Sequence, residues 1–369
     1  MISAFGPFIT DMYLPSLPTM VDDFNATTTD IQWGITASLI GLAAGQLLFG
    51  PISDRWGRKP ILILSLVLYS IATIGNIYSL NVDAFNCFRF FQGIGGAGGI
   101  VLSRSIATDC YSGKKLSQIM ALIGAVNGIA PIVAPIIGSF IADVFGWRGV
   151  FWVLLSLGFL LLIMSFPFYE SLGKDMRLTG PFKNIFSVFF NLLKDKNFIR
   201  CVLVYALSNC ILFAYIASAP FIIQEIFFYG KMGFAMVFAV NACAIVGGSA
   251  LSLKFRYPRN AIMTGIGIVI ICGVFLVVGS VLFRSFYIYE ICIWVMLLGI
   301  GFIFPSVTAI AMEHGRKALG AASALLGAAG FTCGGLISPI CGLGEMLFTV
   351  SIVITCSGFL LLIFSKKVC

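Results

Sequence analysis

The chain has 369 residues, of which 59% are hydrophobic and only 10% are charged, with a net charge of +8 and a mean hydropathy of +1.03. Soluble domains carry about 25% charged residues, so this composition excludes a soluble enzyme or nucleic-acid-binding module and describes a helical integral membrane protein. The apolar runs are continuous, not short and alternating, which excludes a transmembrane barrel.

Spans of about 20 mainly apolar residues are expected near 1–18, 33–53, 60–80, 84–108, 118–142 and 149–168. A polar connector at 170–198 follows, holding Lys174, Asp175, Arg177, Lys183, Lys194, Asp195 and Lys196. Six further spans are expected near 199–224, 233–254, 260–283, 286–312, 318–342 and 346–365. No basic stretch or cleavage site stands at Met1, so the first segment reads as a span and not a signal peptide. Its shortness is what either a start upstream of Met1 or a trimmed chain is expected to give. The eleven cysteines are scattered singly, with no C-x-x-C pair, and read as small buried hydrophobes, not disulfides or metal ligands. His314, beside Glu313 and Arg316, reads as a solvated helix end.

The stretch Gly50-Pro51-Ile52-Ser53-Asp54-Arg55-Trp56-Gly57-Arg58-Lys59 puts four charges and two glycines between two spans. It reads as a tight, hydrated turn. Placing that turn in the cytoplasm and alternating puts 18 of the 23 Lys and Arg residues inside and leaves Arg148, Lys231 and Arg284 outside, the bias of the positive-inside rule. An even number of spans with both termini cytoplasmic follows. Loop 251–260 occupies the matching place in the second set of spans. It keeps basic residues but loses the Asp and both glycines, as a decayed internal repeat would.

Charges inside the bilayer are costly and so are functional candidates. Asp11 is expected on the order of 13 Å below the outer surface and Arg89 roughly 9 Å, so the two could pair. Burial favours the protonated form of a carboxyl and a nearby cation favours the ionised form. A carboxylate shared between an arginine and a proton is therefore a coupling device; the plainer alternative is a structural ion pair. Arg104 lies further along the same helix, lining a cavity or reaching back to the inner surface. Asp109 falls at the cytoplasmic mouth beside the turn. In the fifth span Gly124, Gly128 and Gly138 suit close backbone approach, and Pro131 and Pro135 bend the helix. Gln92, Arg104, Asn127, Tyr205, Asn209 and Tyr215 are candidate cavity contacts. Gly41-x-x-x-Gly45 and Gly95-Gly96-Ala97-Gly98-Gly99 read as helix packing; no strand precedes the second, so it is not a phosphate loop. No nucleophile–base set, Walker loop or metal cluster is visible in the sequence, and no cofactor or enzymatic activity is expected.

The turn matches every specified position of G-x-x-x-D-[RK]-x-G-R-[RK], and so resembles the signature between helices 2 and 3 of the major facilitator superfamily. Arg89-Phe90-Phe91-Gln92-Gly93 and the Gly128–Gly138 stretch resemble the helix-4 and helix-5 signatures of its twelve-span drug:proton antiporters. Asp11-Met12-Tyr13-Leu14-Pro15, Gly45-Gln46-Leu47, Gly146-Trp147-Arg148, Phe151-Trp152 and Glu170-Ser171-Leu172 are similar to the bicyclomycin-resistance (Bcr/CflA) subfamily. The likeness is dense in the first half and one of layout only in the second.

The resemblance implies an all-α major facilitator fold of 12 transmembrane helices in two six-helix halves, 1–169 and 199–369, joined by the cytoplasmic connector 170–198. It implies proton coupling by Asp11 and Arg89, and a cytoplasmic gate made by Gly50, Asp54, Arg55, Gly57, Arg58, Lys59 and Asp109, with Asp54 also facing the N-terminus of helix 11. It further implies a seal between halves at the helix-5 residues. The expected partners are protons, a small-molecule substrate and the lipid bilayer, with no nucleic acid; the protein is expected to be a monomer in a bacterial inner membrane. Some multidrug relatives carry a second acid where this chain has Ser3, so neutral or zwitterionic substrates are expected. Export of small amphipathic compounds is the leading reading. Uptake or exchange of a specific metabolite is the alternative, and a non-transporting sensor is a third.

Overall fold

The computed structural model describes residues 5–173, 175, 177, 189–316 and 319–365. Ser3, Lys174, Lys183, Lys317, Lys366, Lys367 and the middle of the connector lie outside the described residues. The first expected span is divided into α1 (Phe5–Asp11), a single 3-10 turn (Leu14–Ser16) and α2 (Leu17–Phe24). Pro15 and Pro18 fall in first-turn positions, where a missing N–H removes no helical bond. Helix α3 (Thr28–Trp56) opens on a capping box: Asp30 N donates to Thr27 Oγ1 at 3.2 Å and Thr27 N donates to Asp30 Oδ2 at 2.9 Å. Then follow α4 (Arg58–Ile77) and α5 (Val82–Cys110), the latter capped by Asn81.

The fifth and sixth expected spans form one run, α6 (Gly113–Ser165), which leaves helical geometry at Gly146, with φ +68°. Helices α7 (Lys196–Phe221), α8 (Lys231–Ser252), α9 (Pro258–Leu282), α10 (Phe286–His314), α11 (Leu319–Cys341) and α12 (Met346–Ser365) complete the chain. Helix α7 continues into a π-turn, Ile222–Ile226. Among the described residues there is no strand, and nine helical runs are long and apolar enough to cross a membrane. Helix α5, which carries Asp83, Arg89, Arg104 and Asp109, is not among them, and α1 and α2 are too short.

In the N-terminal group α3 packs on α5, α5 on α4 and α4 on α6. Six spans later the order recurs: α8 packs on α10, α10 on α9 and α9 on α12. The groups meet along two seams, α3 against α11 and α6 against α8. Lipid removes the hydrophobic drive between helices, so small residues that admit close backbone approach have to hold them. Gly41 faces the Phe90 carbonyl and Gly93 the Ser38 carbonyl across α3 and α5; Gly248 and Gly301 face each other across α8 and α10. Gly95 and Gly98 are packed against Tyr69 and Ser65 of α4, so the glycine run is a helix contact.

Candidate functional site

The stretch 50–59 is less a ten-residue turn than a one-residue one. Residues 50–56 are the last turns of α3, α4 starts at Arg58, and only Gly57 departs, with φ +104°. A side chain there would be strained by that angle and would strike the Glu170 carboxylate. Gly50 has no such need, since its nearest neighbour would be Val101 Cγ1 at 3.7 Å. The Arg58 guanidinium donates through Nε to Asp109 Oδ2 at 2.9 Å, and through Nη1 to Ser53 Oγ at 2.7 Å and to Asp54. Glu170 accepts from the backbone N–H of Arg58 at 2.8 Å and of Lys59 at 3.2 Å, placing a carboxylate on the positive end of α4. Ser171 Oγ donates to Asp109 at 3.1 Å, and Lys59 Nζ to the Phe166 carbonyl at 2.7 Å. The Glu170-Ser171 motif after the sixth span therefore has a mechanical role. Asp54 is held by Arg58; the start of α11 that it was expected to face, residues 317–318, lies outside the described residues.

The expected Asp11–Arg89 pair does not form. Arg89 is fully buried and donates to the Ile9 carbonyl at 3.3 Å and to Gln92 Oε1, with its guanidinium 4.2 Å from the Tyr13 ring centroid. Ile9 packs against Gly96 of α5, and two residues of helix turn through about 200°. Asp11 therefore faces away from Arg89, into a cavity. Gln92 is not a cavity residue either: it accepts from Asn76 at 3.2 Å and donates to Thr73 at 2.8 Å inside the N-terminal group. Asn127 lines neither cavity described below, and its Oδ1 is buried without a partner.

The central cavity, about 270 Å³, is lined by Asp11, Tyr205, Asn209, Tyr215 and the rings of Phe213, Phe238, Phe304 and Phe331, with Pro131 of α6. A second space of about 520 Å³ shares Ile100, Tyr205, Asn209 and Phe331 with it and continues past Gln46, Arg104, Thr108 and Met312 toward the basic end. Arg104 donates to Ser323 of α11 at 3.3 Å across this space. Together they have the size and mostly apolar lining of a small-molecule site.

At the opposite, acidic end the two groups are joined. Gln32 Nε2 donates to the Ala217 carbonyl at 3.2 Å, Thr36 Oγ1 to the Gly335 carbonyl at 2.7 Å, Thr29 Oγ1 to the Gly342 carbonyl at 3.3 Å, and Gln224 Nε2 to the Pro15 carbonyl at 3.1 Å. Lys231 of α8 pairs with Asp143 of α6 at 3.3 Å. Trp147 Nε1 donates to Asp23 at 2.7 Å and Arg148 Nε to the Ile77 carbonyl at 3.2 Å, so the turn at Gly146 ties α2, α4 and α6 together. The α6 glycines divide along the same axis. Gly138 abuts the Met12 backbone, Gly128 would meet Val246 of α8 only at 3.9 Å, and Gly124 faces open space. Close approach at all three was expected; α6 closes on α1 near the acidic end and stands away from α8 toward the basic end. Pro135 is buried, and α6 stays helical through both prolines.

Sequence reasoning passed over Gln32 and Thr36, polar residues at the seam whose one available signal was their place in an apolar span, and took Gln46 only as part of a family motif and not as a cavity residue. It also passed over Glu290, the acid within the tenth span, near Tyr215 and Asn241. The bilayer-charge argument that selected Asp11 applies to it equally.

Residues 1–339 match the profile described as Major Facilitator Superfamily. The chain is 31% identical over 351 residues to the Bacillus subtilis protein named "Uncharacterized MFS-type transporter YdgK", covering 94% of this chain and 87% of that one. It is 28% identical to a "Bicyclomycin resistance protein homolog" of Haemophilus influenzae, covering 92% and 86%, and 26% identical to the Escherichia coli "Multidrug resistance protein MdtL", covering 94% and 88%. Among solved structures it superposes on a bacterial homologue of the lysosomal transporter Spinster, inward-facing and occupied, with TM-score 0.75 at 16% identity over 99% of this chain and 93% of that one. A D-xylose–proton symporter superposes with TM-score 0.74 at 16% identity, covering 99% and 96%.

Proposed function

The chain belongs to the Major Facilitator Superfamily, a family of transporters and not of enzymes, as a multi-pass protein of the bacterial inner membrane, and on that premise we propose that it exports small amphipathic compounds in exchange for protons. With α1 and α2 counted as one span and α6 as two, the chain makes twelve crossings in two six-helix halves, 1–169 and 199–369, with both termini in the cytoplasm. The recurrence of helix pairings six spans apart supports the two halves. The basic end faces the cytoplasm, so the state described is open inward and shut outward.

The observation that carries the reading is the cavity: a buried carboxyl, Asp11, set among aromatic rings on one side of the seam between halves, with the polar groups of Tyr205, Asn209 and Tyr215 opposite. An apolar body stacks on the phenylalanines and a polar group meets those donors and acceptors, while the carboxyl takes up a proton when substrate leaves. Such a carboxyl needs no arginine partner to work; Arg89 instead fixes the backbone of α1 at Ile9, and through it the position of Asp11. The names of the Haemophilus influenzae and Escherichia coli relatives support drug export over nutrient uptake. With one acid in the cavity wall, neutral or zwitterionic compounds are the favoured cargo, and the protein acts as a monomer with no cofactor beyond the proton gradient.

The test is substrate-driven proton movement in proteoliposomes, read with an internal pH dye after addition of bicyclomycin, chloramphenicol or ethidium. Movement with the first two, lost in Asp11→Asn, is expected. No movement with any compound, or its survival in Asp11→Asn, would overturn the coupling; robust ethidium exchange would overturn the stated preference.

A further inference from the structure

A second carboxyl in the membrane is used by nothing described so far. Glu290 lies in the second turn of α10, four residues or about 6 Å from its outer end. The residue is half-buried, and its Oε2 is buried with no hydrogen-bond partner. Among the described residues it joins no ion pair. The basic residues of the outer end are each taken up elsewhere: Arg148 by Asp23, Lys231 by Asp143 and Arg284 by Glu345.

The groups around Glu290 are polar and carry no positive charge. Asn241 of α8 faces it and donates through Nδ2 to Tyr215 Oη at 3.0 Å, leaving the Asn241 Oδ1 buried and unpartnered. Tyr289, its neighbour on α10, also has a buried hydroxyl without a partner, and Cys341 at the end of α11 lies beyond it. On α9, Cys272 faces Cys292 of α10. Tyr215 of α7 lies within electrostatic reach of both Glu290 and Asp11, and its ring lines the central cavity.

An ionised carboxylate in this setting lacks any counter-charge, and in a low-dielectric interior that is expensive. Glu290 Oε2 is a buried acceptor with no donor on it, and a proton on the carboxyl supplies a donor at that oxygen. Resting on the export reading above, we infer that Glu290 is a second proton-binding carboxyl of the transport cycle, loaded from the outer side and coupled through Tyr215 to Asp11. The step is association of one proton with the carboxylate to give the neutral acid, and its release when the outer end rearranges. Two carboxyls that share a field titrate as a linked pair, and the shift that each imposes on the other is equal.

The experiment is infrared difference spectroscopy on the full-length protein in lipid nanodiscs, titrated across the neutral range without any drug, following the C=O stretch of protonated carboxyls. Wild type is expected to lose two bands as pH rises. Glu290→Gln removes one and keeps the other, Asp11→Asn does the converse, and Glu290→Asp, folded by the same size-exclusion profile, restores a band. The midpoint shift of the Glu290 band in Asp11→Asn should equal that of the Asp11 band in Glu290→Gln. Asn241→Leu should move the Glu290 band in frequency, which a merely structural residue would not do. A Glu290→Gln spectrum identical to wild type overturns the proton site; loss of a band with no mutual shift overturns the coupling. Drug-driven proton movement that survives in Asp11→Asn overturns the export mechanism alone and leaves the Glu290 site standing.

Discussion

At the acidic end, Thr29, Gln32 and Thr36 of α3, with Gln224 and Lys231, reach across the seams to the other group of helices. At the basic end, the bonds of Arg58, Lys59, Asp109 and Glu170 stay within the N-terminal group, and Arg104 to Ser323, at 3.3 Å, is a long link between the groups. The first set must break for the groups to rock apart at the outer end; the second set can ride through that motion intact. Four hydrogen bonds at roughly 1 kcal/mol net each come to about 4 kcal/mol, close to the roughly 5.5 kcal/mol that carries a two-state equilibrium from one extreme to the other. On the proposed export cycle, the outer bonds are thus large enough to set which state is populated, and small enough for cargo and protons to reverse it.

The strongest way to break this asymmetry is to make the outer closure permanent. A Cβ at Gly335 would lie 3.3 Å from the Leu39 Cβ across the α3–α11 seam, near the spacing a disulfide needs. In a cysteine-depleted background, Leu39→Cys with Gly335→Cys is expected to crosslink under mild oxidation and to reduce drug efflux to background, with recovery on reduction. Thiol counting by mass spectrometry reads the first effect and efflux from vesicles the second. A crosslinked protein that still transports would show that this seam need not open.

The next effect is at the other end. Arg58→Ala strands Asp109, whose side chain is only 14% exposed, and removal of one partner of a buried pair costs on the order of 3 kcal/mol. Thermal unfolding in detergent should shift down by several degrees. Because the cluster lies inside one group, the rate of the Leu39–Gly335 crosslink should be unchanged. A faster or slower crosslink in Arg58→Ala would mean that the cluster also senses the state of the seam, as a gate does.

The class, most of the helices and the basic end were readable because each leaves a local mark. Apolar length marks a helix, Lys and Arg clusters mark one end of the bundle as basic, and the Asp54-to-Lys59 spacing marks the turn. The pairing of Asp11 with Arg89 was misread because depth was used without azimuth. Both residues lie at similar depth, but Ile9 and not Asp11 faces α5. Gln92 was misplaced for the same reason: it shares a face with Arg89 and so turns from the cavity. The spacing of Gly124, Gly128 and Gly138 gave no hint that only one would be in contact, since that depends on which end of the seam is open. Glu290 was legible by the argument that chose Asp11, and was passed over because no motif surrounds it.

The smallest effect tests whether a surface charge contributes to the outer closure at all. Lys231 and Asp143 meet at 3.3 Å, but the Asp143 side chain is 52% exposed, and exposed pairs are worth about 0.5 kcal/mol. Lys231→Gln should therefore shift the balance toward the outward-open state by only about twofold, read as a twofold slower Leu39–Gly335 crosslink at low ionic strength. Salt near 1 M reduces the screening length to about 3 Å, so the difference between variant and wild type should vanish there. Thr36→Val, which removes a buried hydrogen bond at the same end, should slow the crosslink by about fivefold at any salt concentration. If Lys231→Gln matched Thr36→Val in size and ignored salt, the ion pair would be acting as a buried latch, and the outer closure would depend on α6 and α8 as much as on α3 and α11.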